Sequence, residues 1–233
     1  MRALIEADGL HVYYGASHVL RGVGLRIGAG ESVGLVGRNG MGKTTLFKTM
    51  MGLLPAMQGS ISLEGKALER LESHQRVRSG VAYVPQGRMI FPTLTVEENI
   101  RTGMRGRALR DTIPEDIYAL FPVLHEMRGR RGGDLSGGQQ QQLAIARALV
   151  TNPSVLLLDE PTEGIQPSII KDIARSLLEI RKLRNLAIVV SEQVLSFTMQ
   201  IADRLIVIDK GRFVHEDPRE RVDEQTISKY LSV

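Results

Sequence analysis

The chain contains no cysteine, no sustained heptad pattern, no internal repeat and no uncharged apolar stretch near the roughly 20 residues needed to span a bilayer. Each absence removes a class of function. Without cysteine there are no disulfides, no thiolate metal sites and no thiol catalysis, although the compartment stays open. Without heptads there is no coiled-coil arm. The start, Met1 to Asp8, has no long apolar core of the signal-peptide kind, so the chain is expected to stay in the cytoplasm. Strong charge is also missing. A net +4 suits a neighbour carrying anionic phosphates or a membrane surface, and does not by itself imply nucleic acid. What remains is ordinary for a globular protein: 233 residues, 42% apolar and 24% charged, enough for one large domain with a sizeable core.

Glycine, in contrast, is concentrated in two places that matter. Gly37-Arg38-Asn39-Gly40-Met41-Gly42-Lys43-Thr44-Thr45 fits the phosphate-binding pattern G-x-x-x-x-G-K-[ST]. The apolar run Ser32–Val36 before it reads as a buried strand, and Thr44–Lys48 opens a helix. Glycines at such a junction let backbone N–H groups curl around phosphate oxygens, and the helix N-terminus adds a favourable dipole. Lys43 is expected to reach the β- and γ-phosphates of ATP, and the Thr44 hydroxyl to ligate Mg2+. The second segment, Leu135-Ser136-Gly137-Gly138-Gln139, lies about ninety residues downstream and runs into strong helix formers. It is a second anion site by the same dipole and N–H argument. One chain has no evident use for two grips on a γ-phosphate, whereas a partner chain does. The two segments therefore read as halves of a site shared between two molecules.

Asp159 and Glu160 supply acid. Val155–Leu158 is a continuous apolar run, as expected of a central parallel strand covered on both faces. Carboxylates at its C-terminal end sit where open α/β sheets bind ligands. Asp159 is the candidate for orienting Mg2+ through a water, and Glu160 for polarising the attacking water. Phosphoryl transfer to water asks for positioning and charge compensation, so two differently placed acids suffice.

Along the chain, strands and helices alternate as in a parallel-sheet α/β protein. Residues 1–35 read as short strands with turns at Asp8-Gly9 and Gly28-Ala29-Gly30, and Ser60–Gly65 adds another, giving a partly antiparallel layer. From about Gly87 to Leu149 the rhythm breaks into a helical insertion, with Thr95 and Glu98 forming a capping box. Strands return at 154–158, 186–190 and 205–208, with a helix near 167–182. Residues 215–233 read as a short tail helix. Between Arg101 and Arg131 the arginines outnumber the acids, which suits a solvated face with some lipid-headgroup attraction. Met89, Ile90 and Phe91 beside Gln86 suggest either packing within this insertion or a docking groove for a short helix of a membrane partner.

This order of motifs resembles the ABC-transporter ATPase family over essentially the whole chain. The resemblance implies an α/β fold: a P-loop NTPase (RecA-like) core with a mostly parallel sheet, an antiparallel β layer and a helical subdomain. It divides the chain into 1–86 and 150–233 as nucleotide-binding core, with 87–149 as the helical subdomain. It further implies that Tyr14 stacks on adenine and that Gln86 contacts Mg2+ and the water while linking the site to the membrane partner. Ser136, Gly137, Gly138 and Gln139 are then the grip on a partner's ATP. Expected partners are two membrane permease subunits, a second ATP-binding subunit or a second copy, and indirectly a periplasmic substrate-binding protein; no nucleic acid is expected. The location implied is the cytoplasmic face of the inner membrane.

Two positions depart from the usual family pattern. Gln193 stands ten residues before Asp203 of Ala202-Asp203-Arg204, where the family commonly has histidine. Glutamine hydrogen-bonds a γ-phosphate without gaining charge, so Gln193 is expected to orient and Glu160 to carry the base role. Gln166 replaces the usual aspartate of the dimer-contact loop. These departures, with the stretches 14–23, 74–80, 85–92, 130–134 and 163–168, resemble the branch that imports branched-chain amino acids and urea, closest to the second ATP-binding subunit of bacterial urea importers. Import of urea, or of short amides, across the bacterial inner membrane is thus the expectation, with branched-chain amino acid import as the alternative. Two further classes compete: a non-transport ABC ATPase of DNA repair or cluster assembly, and a P-loop kinase, which needs no second Ser-Gly-Gly turn.

Overall fold

A computed structural model describes residues 3–104 and 112–231. Arg105, Arg107, Arg110 and Asp111, part of the arginine-rich stretch, lie outside the described residues. In chain order the strands are β1 (Ile5–Tyr14), β2 (Ser17–Ile27), β3 (Ser32–Val36), β4 (Gln58–Leu63), β5 (Lys66–Ala67), β6 (Val81–Val84), β7 (Val155–Asp159), β8 (Ala187–Glu192), β9 (Arg204–Asp209) and β10 (Arg212–Pro218). The helices are α1 (Lys43–Met50), α2 (Ser73–Ser79), α3 (Val96–Arg101), α4 (Glu115–Leu120), α5 (Pro122–Glu126), α6 (Gly137–Leu149), α7 (Pro167–Arg184), α8 (Leu195–Ile201) and α9 (Glu224–Leu231).

Two sheets result. An antiparallel one has the order β2-β1-β4-β5, and a six-stranded one the order β10-β9-β3-β8-β7-β6. In the larger sheet every pairing is parallel except β10 with β9 at one edge. Its central strands β3, β7 and β8 are buried along their whole length, which is why they read as unbroken apolar runs. Strand alternation then sorts their side chains. Val155, Leu157, Ala187 and Val189 face α1 and the antiparallel sheet, in one core with Leu46, Phe47 and Met50. Leu156, Leu158, Ile188 and Val190 face the other way, in a core shared with Leu143 and Ile145 of α6, Ile173 and Leu177 of α7, and Ile100 of α3. The helices between 87 and 149 therefore pack into the same core as the sheet.

Three expectations needed revision. Asp8-Gly9 is no turn: β1 runs through it with a register shift between Ala7 and Leu10, and the pairings to β2 and β4 resume beyond it. The stretch 215–218 is the end of β10, so the tail helix is only α9. The helix near 167–182 continues to Arg184, where Asn185 in the left-handed region (φ 50°) ends it.

Candidate active site

The strand order aligns the C-terminal ends of β3, β8, β7 and β6, and each leads into one piece of the candidate site. β3 feeds the loop 37–42 and then α1. Two glycines there have physical reasons. A Cβ on Gly37 would stand 2.5 Å from the carbonyl oxygen of Ile208, so the loop and β9 approach too closely for any side chain. Gly42, the residue before α1, holds φ 113°. Lys43 is buried, and its Nζ donates to the carbonyls of Gly37 (2.6 Å) and Arg38 (3.2 Å).

The same ammonium forms an ion pair with Glu160 Oε1 at 3.1 Å. Glu160 is a meeting point. Gln86 Nε2 donates to its Oε2 (3.2 Å), and Gln193 Nε2 to its Oε1 (3.4 Å) and to Asn39 Oδ1 (2.8 Å). Its backbone sits at φ 48°, a left-handed conformation that costs a non-glycine residue about 1–3 kcal/mol and is over-represented at functional positions. The surrounding cavity, about 220 Å3, is lined by Arg38, Asn39, Gly40, Gly42, Lys43, Thr44, Thr45, Gln86 and Glu160. Most residues expected to bind nucleotide are therefore brought together. Tyr14 is not among them; it lies half exposed at the end of β1.

Asp159 stands behind this cavity, fully buried. Its Oδ2 accepts from the Tyr83 hydroxyl (3.0 Å) and its Oδ1 from Ser191 Oγ (2.5 Å). Burial, and then the neighbouring Asp159, push the Tyr83 hydroxyl's pKa well above its ordinary value, so it stays a donor. The groups available to a cation are all oxygens: the Thr44 hydroxyl, the Gln86 amide oxygen and the carboxylates. That chemistry fits a hard cation such as Mg2+. Among the described residues no group of three or more His, Cys, Asp or Glu could hold a metal. A cation here would thus be completed by water and phosphate oxygens, which is how Mg2+ is commonly bound.

The second glycine segment lies elsewhere. Ser136 precedes α6 and caps it, accepting from Gln139 N (3.4 Å), while Gln139 Oε1 accepts from Ser136 N (3.0 Å). Ser136 to Gln139 line a separate cavity of about 560 Å3 together with Gln142, Gln166 and Ile169 of the same chain. Among the described residues none lines both cavities.

Several residues escaped sequence reasoning. Tyr83 and Ser191 engage Asp159 only through strand register, with Asp159 opposite Ser191 on the neighbouring strand. Asn99, buried on α3, bonds Phe91 N and the carbonyls of Phe91, Leu94 and Thr95, and so shapes the loop after Gln86. Its signal was an asparagine in a helix, where it is a poor former. Arg147 of α6 donates to the carbonyl of Met89 (2.7 Å) and lies over the Phe91 ring at 5.3 Å from its centroid. Glu192 is buried at the end of β8 among four donors; burial raises its pKa, and those hydrogen bonds offset only part of the rise. Its signal was a carboxylate closing a strand that is apolar from Ala187 to Val190.

Comparison with known proteins agrees with this geometry. Residues 20–163 match the family model described as ABC transporter. The chain is 38% identical over 216 residues to the high-affinity branched-chain amino acid transport ATP-binding protein BraG of Pseudomonas aeruginosa, covering 92% of each. It is 33% identical over 238 residues to the lipopolysaccharide export system ATP-binding protein LptB of Haemophilus influenzae, covering 98% of this chain and 97% of that one. Among solved structures, a nucleotide-free ATP-binding cassette from an ABC transporter superimposes with a TM-score of 0.83 at 26% identity, covering 98% of this chain and 95% of the other.

Proposed function

The chain belongs to the ABC transporter family as an ATP-hydrolysing, ATP-binding subunit, and from that premise we propose that it powers import of a small nitrogenous solute. Our first reading of the cargo is urea, supported by the stretches that flank Gln86, Ser136 and Gln166. A second reading is branched-chain amino acids, favoured by the 38% identity to BraG. The likeness to LptB, an export-system protein, makes direction part of the test. Uptake of labelled urea against labelled leucine into vesicles carrying the chain and its membrane subunits separates these readings; exit of neither and entry of neither would overturn both.

The observation that carries the catalytic reading is the convergence of Lys43, Gln86 and Gln193 on Glu160. Lys43 holds Glu160 where it would also hold the γ-phosphate, so phosphate and carboxylate compete for one ammonium. With phosphate on Lys43, Glu160 is released toward water. Water oxygen then bonds to the γ-phosphorus, the bond to the bridging oxygen breaks, and Glu160 receives the water proton. Gln193 orients by donating its amide N–H. Thr44 and Gln86 would hold Mg2+, with Asp159 acting through a water, and the bound ion offsets charge on the β- and γ-phosphates. Gly37, Asn39, Gly40, Gly42 and Thr45 cradle the phosphates and Tyr14 the adenine.

Ser136 to Gln139 of a second ATP-binding subunit would close over the γ-phosphate. ATP then favours the closed pair by its differential affinity for that state, and hydrolysis reopens it. In this scheme 87–149 is the subdomain that meets the permease, through the cavity of about 330 Å3 lined by Tyr83, Pro85, Met89, Phe91 and Arg147. Among the described residues no helix is long and apolar enough to cross a membrane. The test of the base is Glu160→Gln. It should bind ATP, cease to hydrolyse it and accumulate as an ATP-bound dimer on size exclusion. Normal turnover would overturn the assignment.

A further inference from the structure

Glu192 has no part in the reading above, yet it is the most fully engaged acid near the site. It is 2% exposed at the end of β8. Its two oxygens serve different loops. Oε1 accepts from Thr162 N (2.9 Å) and Thr162 Oγ1 (2.6 Å); Oε2 accepts from the N–H groups of Gln193 (3.0 Å) and Val194 (3.3 Å). Thr162 is two residues beyond Glu160 on the loop leaving β7, and Gln193 directly follows Glu192. Among the described residues no lysine, arginine or histidine forms an ion pair with it.

A buried carboxylate without a counter-ion is costly unless hydrogen bonds compensate it, and an apolar side chain here would leave four donors unpaired. What a carboxylate alone provides here is acceptance on both oxygens at once. One oxygen fixes the loop that carries Glu160, the other the loop that carries Gln193. We infer that Glu192 is a positioning residue that tethers the loop of the base to the loop of the switch glutamine and sets the spacing between them. It is not among the residues lining the cavity around Lys43, and it acts through backbone N–H groups and one hydroxyl. The inference rests on the reading of Glu160 and Gln193 as the reacting pair.

Glutamine at 192 is the informative change. It keeps the size but offers one acceptor oxygen and one NH2, so one of the two loops meets donors facing donors. Misplacing a reacting group by about 1 Å can cost roughly 100-fold, so Glu192→Gln should lower kcat by about 10- to 100-fold. KM for ATP should stay within about twofold, because uniform binding is untouched. Thr162→Val, which removes only the hydroxyl, should lower kcat by a few-fold at about the same KM. In a Gln193→Ala background, Glu192→Gln should cost clearly less than alone, since the group it positions is gone.

The measurements are steady-state ATP hydrolysis and melting temperature of the full chain. Wild-type kcat in Glu192→Gln, or full multiplicativity with Gln193→Ala, would overturn the tether. So would a loss of kcat that follows a raised KM and a lowered melting temperature. If Glu192→Gln fails to fold, Thr162→Val decides, and unchanged kcat there overturns the tether. Glu160→Gln measured alongside separates the two levels. Its normal turnover removes the underlying reading, whereas an inactive Glu160→Gln beside a fully active Glu192→Gln removes only the tether.

Discussion

The two glycine-rich segments each lead into a helix N-terminus, yet the fold treats them in opposite ways. The first is braced from within. Gly42 offers no side-chain cap to α1, Lys43 is buried, and the chain supplies its own acid, Glu160, to the lysine. The second is self-capped and turned outward: Ser136 is exposed, its hydroxyl accepts from the Gln139 backbone N–H, and the Gln139 side-chain oxygen accepts from the Ser136 backbone N–H. One molecule therefore gathers its reacting side chains around the first segment and leaves the second without a catalytic group of its own. The contrast teaches that two glycine segments alike in sequence can be built for different work: charged and amide side chains converge beside the first, whereas a helix cap shapes the second.

Mixing two inactive variants would break or sharpen that contrast most strongly. Lys43→Ala should abolish hydrolysis with loss of ATP affinity, and Ser136→Arg should abolish it with affinity largely kept. Mixed in equal amounts, the two should regain activity, because one of the two sites in each mixed pair has both halves intact. Statistics of a two-fold dimer set the ceiling at about a quarter of the wild-type rate. Hydrolysis assayed against each variant alone checks this. No recovery, with dimers present on size exclusion, would mean that the two segments do not meet across a pair.

A smaller effect is expected at the loop between the segments. Met89 and Phe91 are 68% and 48% exposed, on a loop held by Arg147 and Asn99. Phe91→Glu places an acid beside Arg147, so folding and basal hydrolysis should be preserved. Coupling to the membrane subunits should be lost, read as transport per ATP hydrolysed in vesicles. Unchanged transport removes the docking role and returns Phe91 to ordinary packing.

How much of this was legible depends on whether the determinant was local. The loop 37–45 and the strands ending at Val36 and Asp159 are written in consecutive residues, because burial on both faces forces unbroken apolar runs. The capping box of Thr95 and Glu98 was legible for the same reason, whereas those of Ser136 with Gln139 and Glu72 with Gln75 were not read. β10 was not: its residues alternate between exposed and half-buried, so a polar edge strand looked like the start of a tail. The continuity of β1 was hidden because a bulge and a turn share the Asp-Gly signal. The convergence on Glu160 depends on which strands become neighbours, which no local pattern encodes. Tyr83 and Ser191 fall in that class, as partners of Asp159 on neighbouring strands.

The smallest expected effect tests whether a cap at the second segment is only a cap. α3 and α6 carry the same device: Thr95 Oγ1 accepts from Glu98 N at 3.1 Å while Glu98 Oε2 accepts from Thr95 N at 2.7 Å. Thr95→Ala should cost about 1 kcal/mol, a fall in melting temperature of roughly 2–4 °C in a chain of this size. The bonds to Thr95 hold the Glu98 carboxyl below its ordinary pKa. A depressed folded-state pKa adds stability above the ordinary carboxylate range and loses it as pH falls through the lowered value. The gap in melting temperature between wild type and Thr95→Ala should therefore narrow in acid. Hydrolysis should be unchanged in Thr95→Ala, whereas Ser136→Ala should show a similar thermal loss together with a lower rate. If Thr95→Ala slowed hydrolysis as much as Ser136→Ala, the second glycine segment would owe its effect to helix stability and not to a grip on phosphate.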